Sequence, residues 1–317
     1  KIVATCVMAW GALGFVSTVA HAKPKATQPT TAPTVKTLAR VIRPFIAVQP
    51  DAALPLPAIV VQLLGQIGQN NADINQLSAI VSRDQALSAK ALRLANSSFY
   101  GMPRKITTIP HALSILGLNS LSTLVTAAAV IGRFPSKNQG RFDFQGFWQH
   151  SIATAVCASL IAKRVDINPE SAFMAGLLHD IGRLVLVTGF SDQYQTAIEY
   201  RTKHDCTMLE AEHEILSCDH AAVGFALTEH WRFPPAILMA VAGHHMPDKQ
   251  WSGGLTNLVH VADAMVHALD FSADENDLVP SLSINAWNGL NLDQSAVLQV
   301  LGETELQFNE ICQILVN

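Results

Sequence analysis

The sequence predicts an all-α fold, and three observations carry that expectation. From about Leu54 onward, apolar residues recur at three- and four-residue spacing in one segment after another. No segment alternates apolar and polar residues as a half-buried strand would, and several stripes begin just after an Asn, Asp or Pro that suits a helix start. The chain has 317 residues, 49% hydrophobic and 15% charged, which is ample for a sizeable core. A net charge of −4 without a long basic run argues against a nucleic-acid partner gripped through its phosphates. Cysteines at 6, 157, 206, 218 and 312 form no Cys-x-x-Cys pair and read as free thiols of a reducing compartment.

In chain order, residues 1–22 hold Lys1, an almost uncharged run over residues 2–20, and the small-x-small pattern Ala20-His21-Ala22. Three readings stay open for it: an export signal, a membrane tether through residues 2–20, or an upstream extension without a targeting role. Lys23, Lys25, Arg40 and Arg43 put more positive charge after the run than before it, which favours keeping the C-terminal part in the cytoplasm. Residues 23–53 read as a Pro-rich linker.

Residues 54–135 read as an N-terminal helical lobe of about five helices. Ile59, Leu63, Leu64 and Ile67 make the first stripe; Asp73 caps a second with Leu77, Ile80 and Val81; Asp84 caps a third with Leu87, Ala91, Leu94 and Ala95. Pro110 suits the first turn of a short helix that Gly117 ends, and Asn119 caps the stripe of Leu121, Leu124, Val125, Ala128 and Ile131. A second lobe spans residues 136–271, beginning with a helical run from Phe147 through Ile161. Asn168-Pro169 starts the next helix and Gly182 is expected to stop it, which puts His179 and Asp180 in its last turn. Later helices are expected from about Thr207, Asp219, Pro235 and Leu255. An acidic loop at Asp274, Glu275 and Asp277 then leads into a C-terminal helical extension over residues 272–317, striped by Val297, Leu301, Phe308, Ile311 and Leu315.

The chemistry gathers around His179-Asp180. Phe173, Met174, Leu177, Leu178 and Ile181 make an inward stripe, so this pair sits where water cannot easily stabilise a charge. A buried carboxylate needs a cation, a helix end or a metal. Other helices point similar groups inward: His150 after Phe147, His220 behind the Asp219 cap, His244 on the Ile237, Ala240, Val241 stripe with His245 next to it, and Asp263 among Leu258, Val259, Ala262 and Val266. Each alone is more readily a satisfied core residue; together they favour a metal centre of His150, His179, Asp180, His220, His244, His245 and Asp263. A histidine and carboxylate set without cysteine suits Fe, Mn, Mg or Zn, as one ion or two. Asp180 is placed to bridge two ions and lower the pKa of a shared water for attack on phosphorus, so it is read as catalytic; Arg183 could hold the phosphate. His260 and His267 flank Asp263 at i−3 and i+4 and remain open as outer partners, while His21, His111, His204, His213 and His230 are set aside. Phosphate-cradling Gly-rich loops and a serine nucleophile elbow are both absent from the sequence.

The stretch SAKALRLANSSFYGMPRKITTIPHALSILGLNS from Ser88 to Ser120, with AFMAGLLHDIGRLVL, DHAAVGFALTEHW and the His244-His245 pair, resembles the HDOD family, a branch of the HD phosphohydrolase superfamily found in bacterial signalling proteins. The resemblance covers about residues 52–270 and implies a multi-helical HD-like fold with an N-terminal helical lobe and a C-terminal HD lobe. It also implies a cytoplasmic regulatory module acting through a signalling protein partner. His150, His179, Asp180 and Asp263 match the superfamily's metal pattern, and His220, His244 and His245 fall where relatives that cleave cyclic di-GMP add histidines. The Gly-Tyr-Pro signature of those relatives is missing; this chain reads His244-His245-Met246-Pro247-Asp248. Two functions therefore stand side by side: a metal-binding signalling module without turnover, and a metal-dependent phosphohydrolase with a nucleotide or cyclic nucleotide ligand. The Asn96–Arg104 stretch is read either as a packing turn, with Tyr100 between the lobes, or as a partner surface offering Tyr100, Arg104 and Lys105.

Overall fold

Local capping chemistry starts most of the helices where the sequence places them. In the computed structural model, which describes residues 56, 60–62, 78–79, 81–134, 142–249, 253–271 and 278–316, the described residues are helical or irregular and contain no strand. The signal or tether segment, the Pro-rich linker, the stripe around Ile59, the Asp73 cap and the acidic loop lie outside those residues. Helix α1 (Gln85–Ala95) begins at Asp84, whose carboxylate accepts from Leu87 N at 3.0 Å. It ends at Asn96, whose side-chain amide donates to the Leu92 and Ile106 carbonyls and accepts from Ile106 N, all at 2.7 Å. That clamp closes the loop, so Phe99 reaches Phe173 with ring centroids 5.6 Å apart while Arg104 and Lys105 stay exposed.

Helix α2 (Ile109–Ile131) is broken at Gly117 (φ 78°, ψ 174°), the expected break, in a conformation that favours glycine. Helix α3 (Phe144–Ala162) is buried on nearly every face and forms the centre of the second lobe. Helix α4 (Pro169–Leu178), capped by Asn168 through Ser171 N at 2.7 Å, lies directly on it. Gly176 permits that approach: a Cβ there would stand 2.9 Å from Ala155 Cα and from the Thr154 carbonyl oxygen.

The chain departs from expectation at the His-Asp pair. Helix α4 stops at Leu178, His179 caps it, and Asp180 (φ −100°, ψ 6°) begins a new helix α5 (Ile181–Gly189). Gly182 therefore sits in the first turn of α5 and does not end a helix. Its missing side chain serves packing, since a Cβ would meet the His220 carbonyl oxygen inside contact distance and Gly224 N at 2.6 Å. Helix α6 (Ser191–His204) was not foreseen; it buries only Tyr194, Ala197 and Arg201, too thin a stripe to read.

Helix α7 (Met208–Leu216) starts with a capping box between Thr207 and Glu210, and α8 (His220–His230) with Asp219 accepting from Ala222 N at 2.7 Å. Helices α9 (Pro235–Gly243) and α10 (Gly254–Ala268) start within one residue of expectation, α11 (Ile284–Leu290) is capped by Ser283, and α12 (Gln294–Val316) closes the described chain. The last helix packs on α3 and α1: Lys90 Nζ donates to the Leu315 carbonyl at 2.9 Å, Arg164 pairs with Glu303 at 2.9 Å, and Glu310 accepts from Ser98 N at 2.8 Å.

Candidate metal centre

Five helix ends and faces converge beside α4. The α3 face supplies His150, the α4–α5 bend His179 and Asp180, the first position of α8 His220, the segment after α9 His244 and His245, and α10 Asp263. All but His245 are buried, and His245 is half-buried. Their ligand atoms form interlocking groups, Asp180 with His220, His244 and His245, and Asp180 with His150 and His179, each group within 4.8 Å. Every residue expected at the metal is thus brought to one place.

Backbone and carboxylate acceptors fix which ring nitrogen faces inward. Nδ1 of His179 donates to the Gly176 carbonyl at 2.7 Å, Nδ1 of His244 to the Val241 carbonyl at 2.8 Å, and Nδ1 of His220 to Glu212 at 2.6 Å. In their neutral forms all three rings therefore present a bare Nε2 to the interior. Those nitrogens stand 3.1 Å (His220), 3.4 Å (His244) and 3.6 Å (His179) from Asp180 Oδ1. His220 Nε2 also faces His245 Nε2 at 2.8 Å, and His150 Nε2 faces His179 Nε2 at 3.2 Å. Electron-rich atoms crowded like this repel one another unless a cation sits among them. Ligands held about 2.0–2.2 Å from one ion lie about 3 Å apart, which is the spacing seen here. The donor set therefore fits a divalent metal.

The ionisation states divide: both carboxylates and three histidines favour their metal-ready forms, whereas the carboxylates beside them raise His179 and His220. Burial raises the Asp180 carboxyl, but the charges of His179 and His220 more than offset it and hold it well below the usual carboxylate range. Burial likewise raises Asp263, and His267 then holds it well below that range. Burial pushes His150, His244 and, most strongly, His245 down, favouring the neutral, metal-ready form. For His220 the burial penalty is outweighed by Glu212 and Asp180, which raise its pKa well above the ordinary value. A metal entering at neutral pH must displace that proton. Metal uptake by the stripped protein is expected to release protons at pH 7, with apparent affinity rising as pH climbs through the raised His220 value and levelling above it. Calorimetric titrations in buffers of different ionisation heat check this; a buffer-independent heat contradicts it.

Arg183 lies beside Asp180, with Nη1 3.2 Å from Oδ2 and Nε donating to the Tyr194 hydroxyl at 3.1 Å. A cavity of about 260 Å³ opens next to the centre, lined by Asp180, Arg183, Arg201, His220, His245 and His267 together with the apolar Met208, Leu209 and Leu278. Its lining thus combines charged side chains of both signs with apolar surface.

One functional residue escaped the sequence reading. Glu212 is fully buried and accepts from both the backbone N (2.7 Å) and Nδ1 (2.6 Å) of His220. Its position four before the buried Leu216 was the available signal. We expect Glu212→Gln to bind metal about 10–100-fold more weakly, read by competition with a chelator. Glu212→Ala should in addition cost about 1–3 kcal/mol in denaturant unfolding because a buried donor loses its acceptor. Full affinity in the Gln variant would show that Glu212 does not orient His220. The structure also separates the two histidines flanking Asp263. His260 is a strut, its Nδ1 donating to the His244 carbonyl at 2.6 Å and its Nε2 accepting from Ser283 N at 3.0 Å. His267 Nε2 instead faces Asp263 Oδ1 at 3.3 Å.

An all-α HD-like fold with a buried His/Asp cluster is the class that these observations define. The family profile of the HDOD domain matches residues 54–247, and the chain belongs to the HDOD family. Among solved structures, a Shewanella amazonensis protein named as a candidate phosphohydrolase aligns with TM-score 0.70 and 28% identity over 85% of this chain and 97% of its own. An HDOD domain protein from Geobacter sulfurreducens aligns with TM-score 0.70 and 24% identity over 88% of this chain and 97% of its own, showing the shared fold. Among curated relatives, ribonuclease Y of Clostridium kluyveri is 29% identical over 121 residues, covering 38% of this chain. The chain spans only 18% of that enzyme's length and 39% of the first curated relative it matches.

Proposed function

We propose that this chain is an HDOD-type regulatory module whose metal centre hydrolyses a phosphate ester bound in the adjoining cavity. The observation that carries the reading is the pair of buried carboxylate oxygens, Asp180 Oδ1 and Asp263 Oδ1, round each of which three imidazole nitrogens crowd at the cavity's edge. Bound divalent ions would supply Lewis-acid charge toward phosphate oxygens and a water acidified to near neutrality. The chain's own residues do the rest: the carboxylates and histidines hold the ions, Arg183 extends positive charge toward the ester, and Met208, Leu209 and Leu278 offer an apolar wall for an organic group. The Shewanella relative, named as a candidate phosphohydrolase, supports this chemistry.

A second reading, a metal-loaded module that signals through a protein partner without turnover, is favoured by one observation. Met246-Pro247-Asp248 comes after the His244-His245 pair where relatives that cleave cyclic di-GMP carry Gly-Tyr-Pro. Metal analysis of the purified chain, followed by assays with Mn²⁺ or Fe²⁺ on phosphomonoesters, cyclic nucleotides and RNA, decides between them. RNA belongs in the panel because of the stretch shared with ribonuclease Y, although a net charge of −4 argues against it. Turnover removed by His179→Ala supports the hydrolase; metal-loaded protein inert on every ester leaves the signalling reading.

A further inference from the structure

The metal pattern implied by the resemblance gives the Asp263 side of the centre two histidines, His150 and His179. The geometry adds a third. Asp263 Oδ1 has His150 Nε2 at 3.0 Å, His267 Nε2 at 3.3 Å and His179 Nε2 at 3.5 Å around it. Asp180 Oδ1 has His220, His244 and His179 around it at 3.1, 3.4 and 3.6 Å. The two carboxylate oxygens are thus surrounded alike, each by three imidazole nitrogens with His179 common to both.

Helical geometry explains how His267 gets there. It lies one turn beyond Asp263 on α10, on the same face, and its ring packs against that of His150 with centroids 4.4 Å apart. The bland reading is an i,i+4 histidine propping its neighbour's carboxylate from outside. A prop only donates N–H to Oδ1, whereas the same ring with a bare Nε2 offers a ligand atom. His267 faces the same oxygen that His150 and His179 face, and with His150 and Asp263 it forms a group of ligand atoms within 4.8 Å of one another.

Resting on the metal-centre reading above, we propose that His267 is a direct metal ligand of the ion on the Asp263 side. That ion is then held largely by imidazole nitrogen, a sphere that suits Fe²⁺ or Zn²⁺ better than Mg²⁺ or Ca²⁺. With a side chain 16% exposed at the cavity margin, His267 lines the cavity together with Asp263.

The test uses the full chain, stripped of metal and reloaded with Co²⁺ alone. His267→Gln is expected to lose one hyperfine-shifted imidazole resonance from the proton spectrum and to bind one ion more than about 100-fold more weakly, beyond the 10–100-fold typical of an outer partner. His267→Gly is expected to regain the ion when free imidazole is added, which a packing role would not show. An unchanged resonance set in His267→Gln overturns the proposal, even with weakened affinity, because an outer prop behaves that way. Should neither variant fold, a crystal structure of the Co²⁺-loaded wild type decides: Nε2 of His267 at about 2.1 Å from the ion supports it, and a nitrogen outside bonding distance overturns it. A wild-type chain that takes up no Co²⁺ overturns the metal centre itself, an outcome distinct from loaded protein that merely ignores His267.

Discussion

An Asp180→Ala chain is expected to retain no divalent ion after dialysis under conditions that leave the wild type loaded, and to lose phosphate-ester hydrolysis with it. Asp180 belongs to both the group with His220, His244 and His245 and the group with His150 and His179, so its removal takes a ligand from each. Losing an outer partner already costs about 10–100-fold in affinity, and losing the shared carboxylate should exceed that. The same change leaves the Arg183 guanidinium with Tyr194 and leaves Glu212 as the carboxylate beside His220. Removing one partner of a buried ion pair typically costs about 3–5 kcal/mol, so stability must be measured beside metal content. The sign with pH is fixed by the direction of the Asp180 shift. Its carboxyl is held well below the usual value, so its stabilising contribution is present above the unfolded value of about 3.9 and is lost as acid brings the folded group through its lower value. The stability gap between wild type and Asp180→Ala should therefore close in strong acid. Asp180→Asn isolates the charge, since it keeps the shape and an acceptor for Arg183. Wild-type metal content in Asp180→Asn would place the centre elsewhere.

The features that could be read from the sequence are those governed by short-range physics. Asp84, Asn168-Pro169, Thr207 and Asp219 announce helix starts because a side-chain oxygen meeting a backbone N–H two or three residues on is a local event. The metal-type residues were legible because each lies on, or directly beside, an inward apolar stripe, and inwardness follows from period 3.6. What could not be read depends on neighbours far along the chain. His260 and His267 flank Asp263 in ways that spacing cannot distinguish; only the Ser283 amide and the His244 carbonyl make one a strut, and only His150 and Asp263 draw the other to the centre. Glu212 looks like one more acid on α7 beside Glu210 and Glu214 until the fold shows it carrying His220. Gly182 carried a local signal that pointed the wrong way. A glycine after an apolar run suggests a helix stop, whereas this one is needed for a backbone contact with a helix almost forty residues later.

That contact makes Gly182→Ala the sharpest test of how the centre is assembled. Alanine is about 1 kcal/mol better than glycine inside a helix, and Gly182 lies within α5, so with open space around it the substitution should stabilise the protein. The space is not open. The new methyl would collide with the His220 carbonyl oxygen and approach Gly224 N at 2.6 Å and the His220 carbonyl carbon at 2.8 Å, all backbone atoms that cannot rotate aside. Helix α8 must then move off α5, and α8 begins with His220, whose Nε2 stands 3.1 Å from Asp180 Oδ1. Overpacking costs about 1–3 kcal/mol where side chains can yield, and a rigid backbone neighbour puts this case at or above the upper end. After the helix-propensity gain, we expect a net loss of about 2 kcal/mol in denaturant unfolding. Metal content should fall with it, because displacing α8 separates His220 from Asp180. Gly302 in α12 is the matched control: nothing lies within 4 Å of a Cβ built there, so Gly302→Ala should hold or gain stability and keep its metal. A Gly182→Ala protein as stable as Gly302→Ala and fully metal-loaded would mean that close contact between α5 and α8 does not set the position of His220.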